Sequence, residues 1–216
     1  MGKSKLKSEN STSFLKNVLM LMFSQVVVKV LGLVYKVVIV DVDGFGNTGN
    51  GYYATGYQIY MVLLAISSIG IPNVISKLVS ERVVTGDYKA AHRIFKTALL
   101  LFTGFGFFLF LLLFFGAEII AENFLHASGV KYTLMVLAPA LCFVPASAVM
   151  RGYFAGLGSM KASSNSQIVE QFFNCVLSIG FVYACVGKDT AIMAAAGNLS
   201  TTCACIIACS YLAIFY

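Results

Sequence analysis

Gln25, Lys29, Gly32 and Lys36 recur at i, i+4, i+7 and i+11 inside an apolar run, so one stripe of the helix that this run forms is polar and basic. A lysine near the centre of a bilayer-spanning helix costs about 2.5–3.5 kcal/mol. Lys29 stands at that depth with no acidic residue at its level, which points to an anionic guest or a hydrated cavity. Lys36 lies near the end of the run, where its stem can also reach the headgroups. A second stripe, Gln167, Glu170 or Gln171, Asn174 and Ser178, sits in another apolar run. Gln58 and Ser68 lie in a third, and Asn198, Thr201 and Cys205 in a fourth. Several half-polar helices in one bundle are satisfied most readily by turning those stripes toward shared water. Glu170 has a second reading, a structural pair with Lys161 or Arg151. The candidate binding residues are therefore Gln25, Lys29, Lys36, Gln167, Glu170 and Asn174, around an anionic guest or a hydrated cavity.

Covalent chemistry finds no comparable set. His92 and His126 fall on connections expected on opposite sides of the membrane, and neither has a carboxylate at metal-ligand spacing. The six cysteines, Cys142, Cys175, Cys185, Cys203, Cys205 and Cys209, all lie in apolar stretches and read as small packing residues. No glycine-rich loop followed by Lys-Ser or Lys-Thr is present to cradle ATP phosphates. No catalytic residue, cofactor or metal is expected.

The elements that must position these residues follow from composition. Of 216 residues, 59% are hydrophobic and 11% charged, against about 45–50% and 25% in soluble domains. A soluble fold of this size could not bury so much apolar surface, so the chain reads as an integral membrane protein of the all-α class. Six spans are expected, near 14–40, 52–78, 93–116, 132–154, 167–186 and 190–216, after a polar cytoplasmic tail at 1–13. The runs are too long and too little alternating for barrel strands. A glycine-rich turn is expected over 41–51, and kinks at Pro139 and Pro145. The first run exceeds a signal-peptide core of about 7–15 residues, so it reads as a retained start-transfer helix.

Charge sets the orientation. With the N-terminus inside, the inner segments carry 11 of the 15 basic residues, including Lys77, Arg82, Lys89, Arg93, Lys96, Arg151 and Lys161, while the outer loops carry Lys131 and Lys188. That imbalance places both termini in the cytoplasm. The net charge of +6 is thereby assigned to membrane topology, and nucleic acid is not an expected partner. A short interfacial helix is expected within Ser76–Lys96, capped by Asp87.

Two stretches resemble a known family. Ser68-Ile-Gly70-Ile-Pro72-Asn-Val-Ile-Ser76-Lys77-Leu-Val-Ser-Glu81 with Gly86-Asp87-Tyr88-Lys89-Ala-Ala-His-Arg93-Ile-Phe95-Lys96 is one. Arg151-Gly-Tyr-Phe-Ala-Gly-Leu-Gly158-Ser-Met-Lys161 followed by Ser166-Gln167-Ile-Val-Glu170-Gln171 is the other. Together they are similar to the oligosaccharidyl-lipid flippase branch of the multidrug/oligosaccharidyl-lipid/polysaccharide exporter superfamily. Within it they look most like the polysaccharide biosynthesis and stage V sporulation B-type proteins of Gram-positive bacteria, relatives of the lipid II flippases.

The resemblance implies two helical lobes around a central cavity that carry lipid-linked saccharide pyrophosphates across the plasma membrane. It implies that Lys29, matching a cavity arginine of the lipid II flippases, meets the pyrophosphate, and that Lys36 matches a second such residue displaced by one position. No counterpart of their basic residue on the second helix is found, so lipid II itself is not implied. Six spans are half of what the family carries. The chain therefore reads as an N-terminal lobe from a truncated or split gene, needing a C-terminal lobe partner or a homodimer. A drug or cation antiporter of the same superfamily, and a non-transporting membrane subunit or remnant, are the alternatives.

Overall fold

The computed structural model describes the backbone of residues 2–216 and the side chains of residues 19, 20 and 22–216. The expected polar tail at 1–13, with Lys3, Lys5 and Lys7, lies outside the described side chains, as does Lys16. Eight α-helices follow in order: α1 (Gly2–Val40), α2 (Gly46–Ser68), α3 (Ile71–Val84), α4 (Tyr88–Ile119), α5 (Val130–Leu137), α6 (Ala140–Gly156), α7 (Met160–Ala184) and α8 (Thr190–Phe215). No strand occurs among the described residues. Two pairs, α2 with α3 and α5 with α6, each make one broken span, so among the described residues six segments are long and apolar enough to cross a membrane. The chain is an all-α, multi-pass membrane bundle.

Each break has a local cause. Pro72 has no N–H to offer the preceding turn, and Gly70 leaves the helical region at φ −133°, so α2 ends at Ser68 and α3 starts afresh. Pro139 interrupts the next long segment, and tight bonds from Leu141 N to Ala138 O (3.0 Å) and Cys142 N to Pro139 O (3.1 Å) carry the chain round. Pro145, in contrast, stays within α6. The carbonyl it leaves without a helical donor, that of Leu141, is covered by Gly106 of α4, where an added Cβ would lie 2.3 Å from the oxygen. A glycine is needed there because the two backbones nearly touch.

Several boundaries differ from the expectation. The turn expected over 41–51 shrinks to residues 41–45, with Gly44 at φ +81°, because Gly46 to Gly51 join α2. Gly49 lets that helix lie on Phe45 and Thr190. Asp87 does cap a helix, accepting from Ala90 N at 2.9 Å. That helix is α4 itself, running unbroken into the membrane, so the separate interfacial helix is not formed. His92 is consequently on α4 and takes a hydrogen bond with the Tyr216 hydroxyl.

The core lies where α5, α6 and α8 meet their neighbours: the spans Val130–Gly156 and Thr190–Phe215 are the most buried, while Met22–Val40 of α1 and the whole of α7 are largely exposed. The α1 helix rests mainly on α7, and α7 in turn on α8. The α6 helix binds α3 through Gly152 and Gly156, whose missing side chains admit Pro72, Ile75, Ser76 and Val79 of α3. This is the small-residue spacing that lets membrane helices approach closely.

Candidate functional site: a polar cavity beside the first helix

A cavity of about 420 Å³ opens between α1, the α2–α3 break, α6 and α7. Gln25 of α1 and Gln167 of α7 meet across it, Nε2 donating to Oε1 at 2.5 Å. Ser68, Asn73 and Ser76 line the α2–α3 side, and Arg151 the α6 side. Backbone polarity belongs at such a place, since a broken helix is tolerated in a membrane where it faces protein or water.

Arg151 is the cavity residue that the sequence reading left out of the candidate binding set. It is counted with the inner basic segments at the end of the 132–154 span, and it sits within α6, five residues before Gly156, with its side chain 16% exposed. The Gly152–Gly156 contact with α3 fixes the rotation of α6 and so turns Arg151 toward α7. There its Nε donates to Ser166 Oγ at 3.0 Å, and its Nη2 donates to Glu170 Oε2. Of the two partners considered for Glu170, the structure selects Arg151. Glu170 also lies 3.7 Å from the Cys205 thiol of α8. The Gly152-x-x-x-Gly156 spacing was the available signal for this placement.

The basic stripe of α1 divides. Gln25 and Gly32 meet α7, the latter with the Gln171 amide 3.5 Å from where its Cβ would be. Lys29 lies between them in register and is exposed, as is Lys36. Among the described residues neither lysine has a hydrogen-bond or ion-pair partner. Lys36 flanks an open groove of about 710 Å³ with Asp41 and Tyr183, away from the Gln25 cavity.

The lower half of the α7 stripe joins the cavity; the upper half does not. Asn174 is buried, accepting from Ser200 Oγ at 2.7 Å and donating to Thr201 Oγ1 at 3.4 Å. Ser178 donates to the Gly197 carbonyl at 3.3 Å. Asn198 donates to the Tyr53 and Ala194 carbonyls. These side chains hold α7, α8 and α2 together instead of facing water, because each makes at least one hydrogen bond to the neighbouring helix, the buried Asn198 Oδ1 alone of these groups being left over. Gln58 is exposed on α2. Among the described residues no group of three or more His, Cys, Asp or Glu could hold a metal.

The cavity thus presents the Gln25 and Gln167 amides, the Ser68 and Ser76 hydroxyls and the Arg151 guanidinium paired with Glu170, with Lys29 exposed on the same helix as Gln25 and Lys36 beside a separate groove. A family model described as polysaccharide biosynthesis protein matches residues 14–216. The chain belongs to the polysaccharide biosynthesis protein family. Among curated proteins it is similar to stage V sporulation protein B of Bacillus subtilis, 33% identical over 174 residues, covering 80% of this chain and 32% of that protein. It is also similar to the lipid II flippase MurJ of the same organism, 27% identical, covering 80% of this chain and 33% of that protein. The chain thus spans about a third of the length of the curated relatives it matches. A solved structure, the outward-facing conformation of a multidrug resistance MATE family transporter of the MOP superfamily, superposes with a TM-score of 0.76. It is 15% identical, and the match covers 93% of this chain and 44% of that one. The six-span bundle of this family member therefore shares the fold of part of that transporter.

Proposed function

We propose that the chain forms one lobe of a plasma-membrane flippase for lipid-linked oligosaccharide or polysaccharide precursors, with both termini cytoplasmic. The observation that carries the reading is the pair of unpartnered lysines, Lys29 and Lys36, on the helix that walls the Gln25–Gln167–Arg151 cavity. Cations left without protein partners in apolar surroundings call for a mobile anion, and the pyrophosphate of a lipid-linked saccharide supplies two charged groups. Lysine offers a point charge and no bidentate fork, which suits a cargo that must bind and leave. Gln25 and Gln167 would meet saccharide hydroxyls or phosphate oxygens, and exposed α1 would face the opposite lobe, either a C-terminal partner or a second copy. The step is transport, with no bond made or broken.

The antiporter alternative needs an acidic residue free to take a cation. The carboxylate beside this cavity, Glu170, is already matched by Arg151, which favours an anionic cargo. Asn174 braces α7 against α8 in this reading and does not touch cargo.

The test is reconstitution in vesicles, with a C-terminal lobe supplied, of the transfer of a fluorescent polyprenyl-pyrophosphate saccharide. Lys29→Ala is expected to lower the rate about tenfold or more, from loss of one charge-assisted contact. Equal rates for wild type and variant would remove the binding role. Dye efflux that requires Glu170 would favour the antiporter.

A further inference from the structure

On the opposite side of α3 from the cavity, α3 and α4 enclose a groove of about 440 Å³. The α3 helix is shared between the two: Pro72, Asn73 and Ser76 face the cavity, whereas Val74, Leu78 and Arg82 face the groove. Its floor is apolar, with Val74, Leu78 and Leu101 left 57%, 41% and 64% exposed. Its mouth carries two arginines. Arg82 is in the last turn of α3 and Arg93 in the second turn of α4, and the tight turn at Gly86 brings those ends together. Both are exposed, and among the described residues neither guanidinium has a salt-bridge or hydrogen-bond partner. From Arg93 to Leu101 the groove follows α4 for roughly 12 Å.

We infer that this groove is a binding site for an anionic phospholipid, its phosphate held between Arg82 and Arg93 and one acyl chain lying along Val74, Leu78 and Leu101. The occupant follows from charge and setting. An apolar slot along a membrane helix is filled by a lipid tail as a matter of solvation, and two unmatched guanidiniums at its end select a headgroup with net negative charge. Basic pockets between transmembrane helices act in this way. A zwitterionic lipid would bring its own ammonium to the same place and gain less. The site does not depend on the cargo proposed above.

The purified chain in detergent would be titrated with dioleoylphosphatidylglycerol and, separately, with dioleoylphosphatidylcholine, and bound lipid counted by native mass spectrometry. Wild type is expected to prefer the anionic lipid by about tenfold. R82Q/R93Q is expected to abolish the preference, while K77Q/K89Q, which removes the same charge from exposed positions of the same two helices outside the groove, retains it. Leu101→Trp, which fills the slot without altering charge, is expected to weaken retention of the anionic lipid. All these positions are exposed, and elution as a single helical species checks the fold. Equal loss in both double variants would reduce the effect to diffuse surface charge and overturn the inference. So would an unchanged R82Q/R93Q, or competition by glycerol phosphate as strong as by the intact lipid.

Discussion

The Arg151 guanidinium on α6 holds two groups of α7 at once, the Glu170 carboxylate and the Ser166 hydroxyl one turn earlier. The pair is partly shielded, with side chains 16% and 29% exposed, and it joins two helices that otherwise touch little. Breaking it from one side leaves a charge in apolar surroundings. Arg151→Ala is expected to lower stability by about 1–3 kcal/mol, read from thermal unfolding in detergent. Arg151→Ala with Glu170→Gln should recover part of that loss, since the orphaned charge is gone. Strictly additive losses would show that the two side chains are not coupled.

The exposure of Lys29 makes a labelling prediction. In a cysteine-free background, Lys29→Cys should react with a membrane-impermeant methanethiosulfonate in the reconstituted two-lobe assembly. Ala194→Cys, at a site with no exposure, should remain unlabelled. Protection of position 29 from aqueous reagents in every state would place that stripe against lipid or protein and withdraw the cavity reading.

Gly106 provides a packing test. Its α4 backbone lies on the Leu141 carbonyl that Pro145 leaves free, and any side chain meets that oxygen. Gly106→Leu should cost about 1–3 kcal/mol through overpacking. Gly104→Ala, two residues away with open space around it, should be neutral or slightly stabilising through helix propensity. Similar melting shifts in both variants would contradict the close α4–α6 contact.

Asn174 separates stability from transport. Its amide links Ser200 and Thr201 of α8, so Asn174→Ala should lower stability by about 1–2 kcal/mol. Measured at a temperature where the variant is folded, its transfer rate should stay close to wild type. A loss as large as that of Lys29→Ala would return Asn174 to the cargo site.

The bilayer-spanning class, the number of spans and the polar stripes on the first and fifth of them were legible in the sequence. Hydropathy and helical period are local properties, carried by adjacent residues whatever the rest of the chain does. The family likeness was legible for the same reason, in the runs around Pro72 and Arg151. The breaks were only partly readable: Pro139 and Pro145 look alike in sequence. One ends a helix and the other is absorbed, because Gly106, from a distant segment, covers the carbonyl that Pro145 strands.

What tertiary structure alone decided is which polar residues are used up and which stay free. Asn174 and Lys29 belong to equally polar stripes. Asn174 meets α8 hydroxyls at matching depth and disappears into packing, while Lys29 has no hydrogen-bond or ion-pair partner among the described residues. Gln25 and Gln167 are 142 residues apart, and no spacing rule joins them. Arg151, expected at the inner end of its span, forms part of the cavity wall because two glycines on its own helix lock α6 onto α3 and fix the direction in which the guanidinium leaves. The free energy of a polar group in a membrane is set by the partner it finds, and the partner is chosen by the fold.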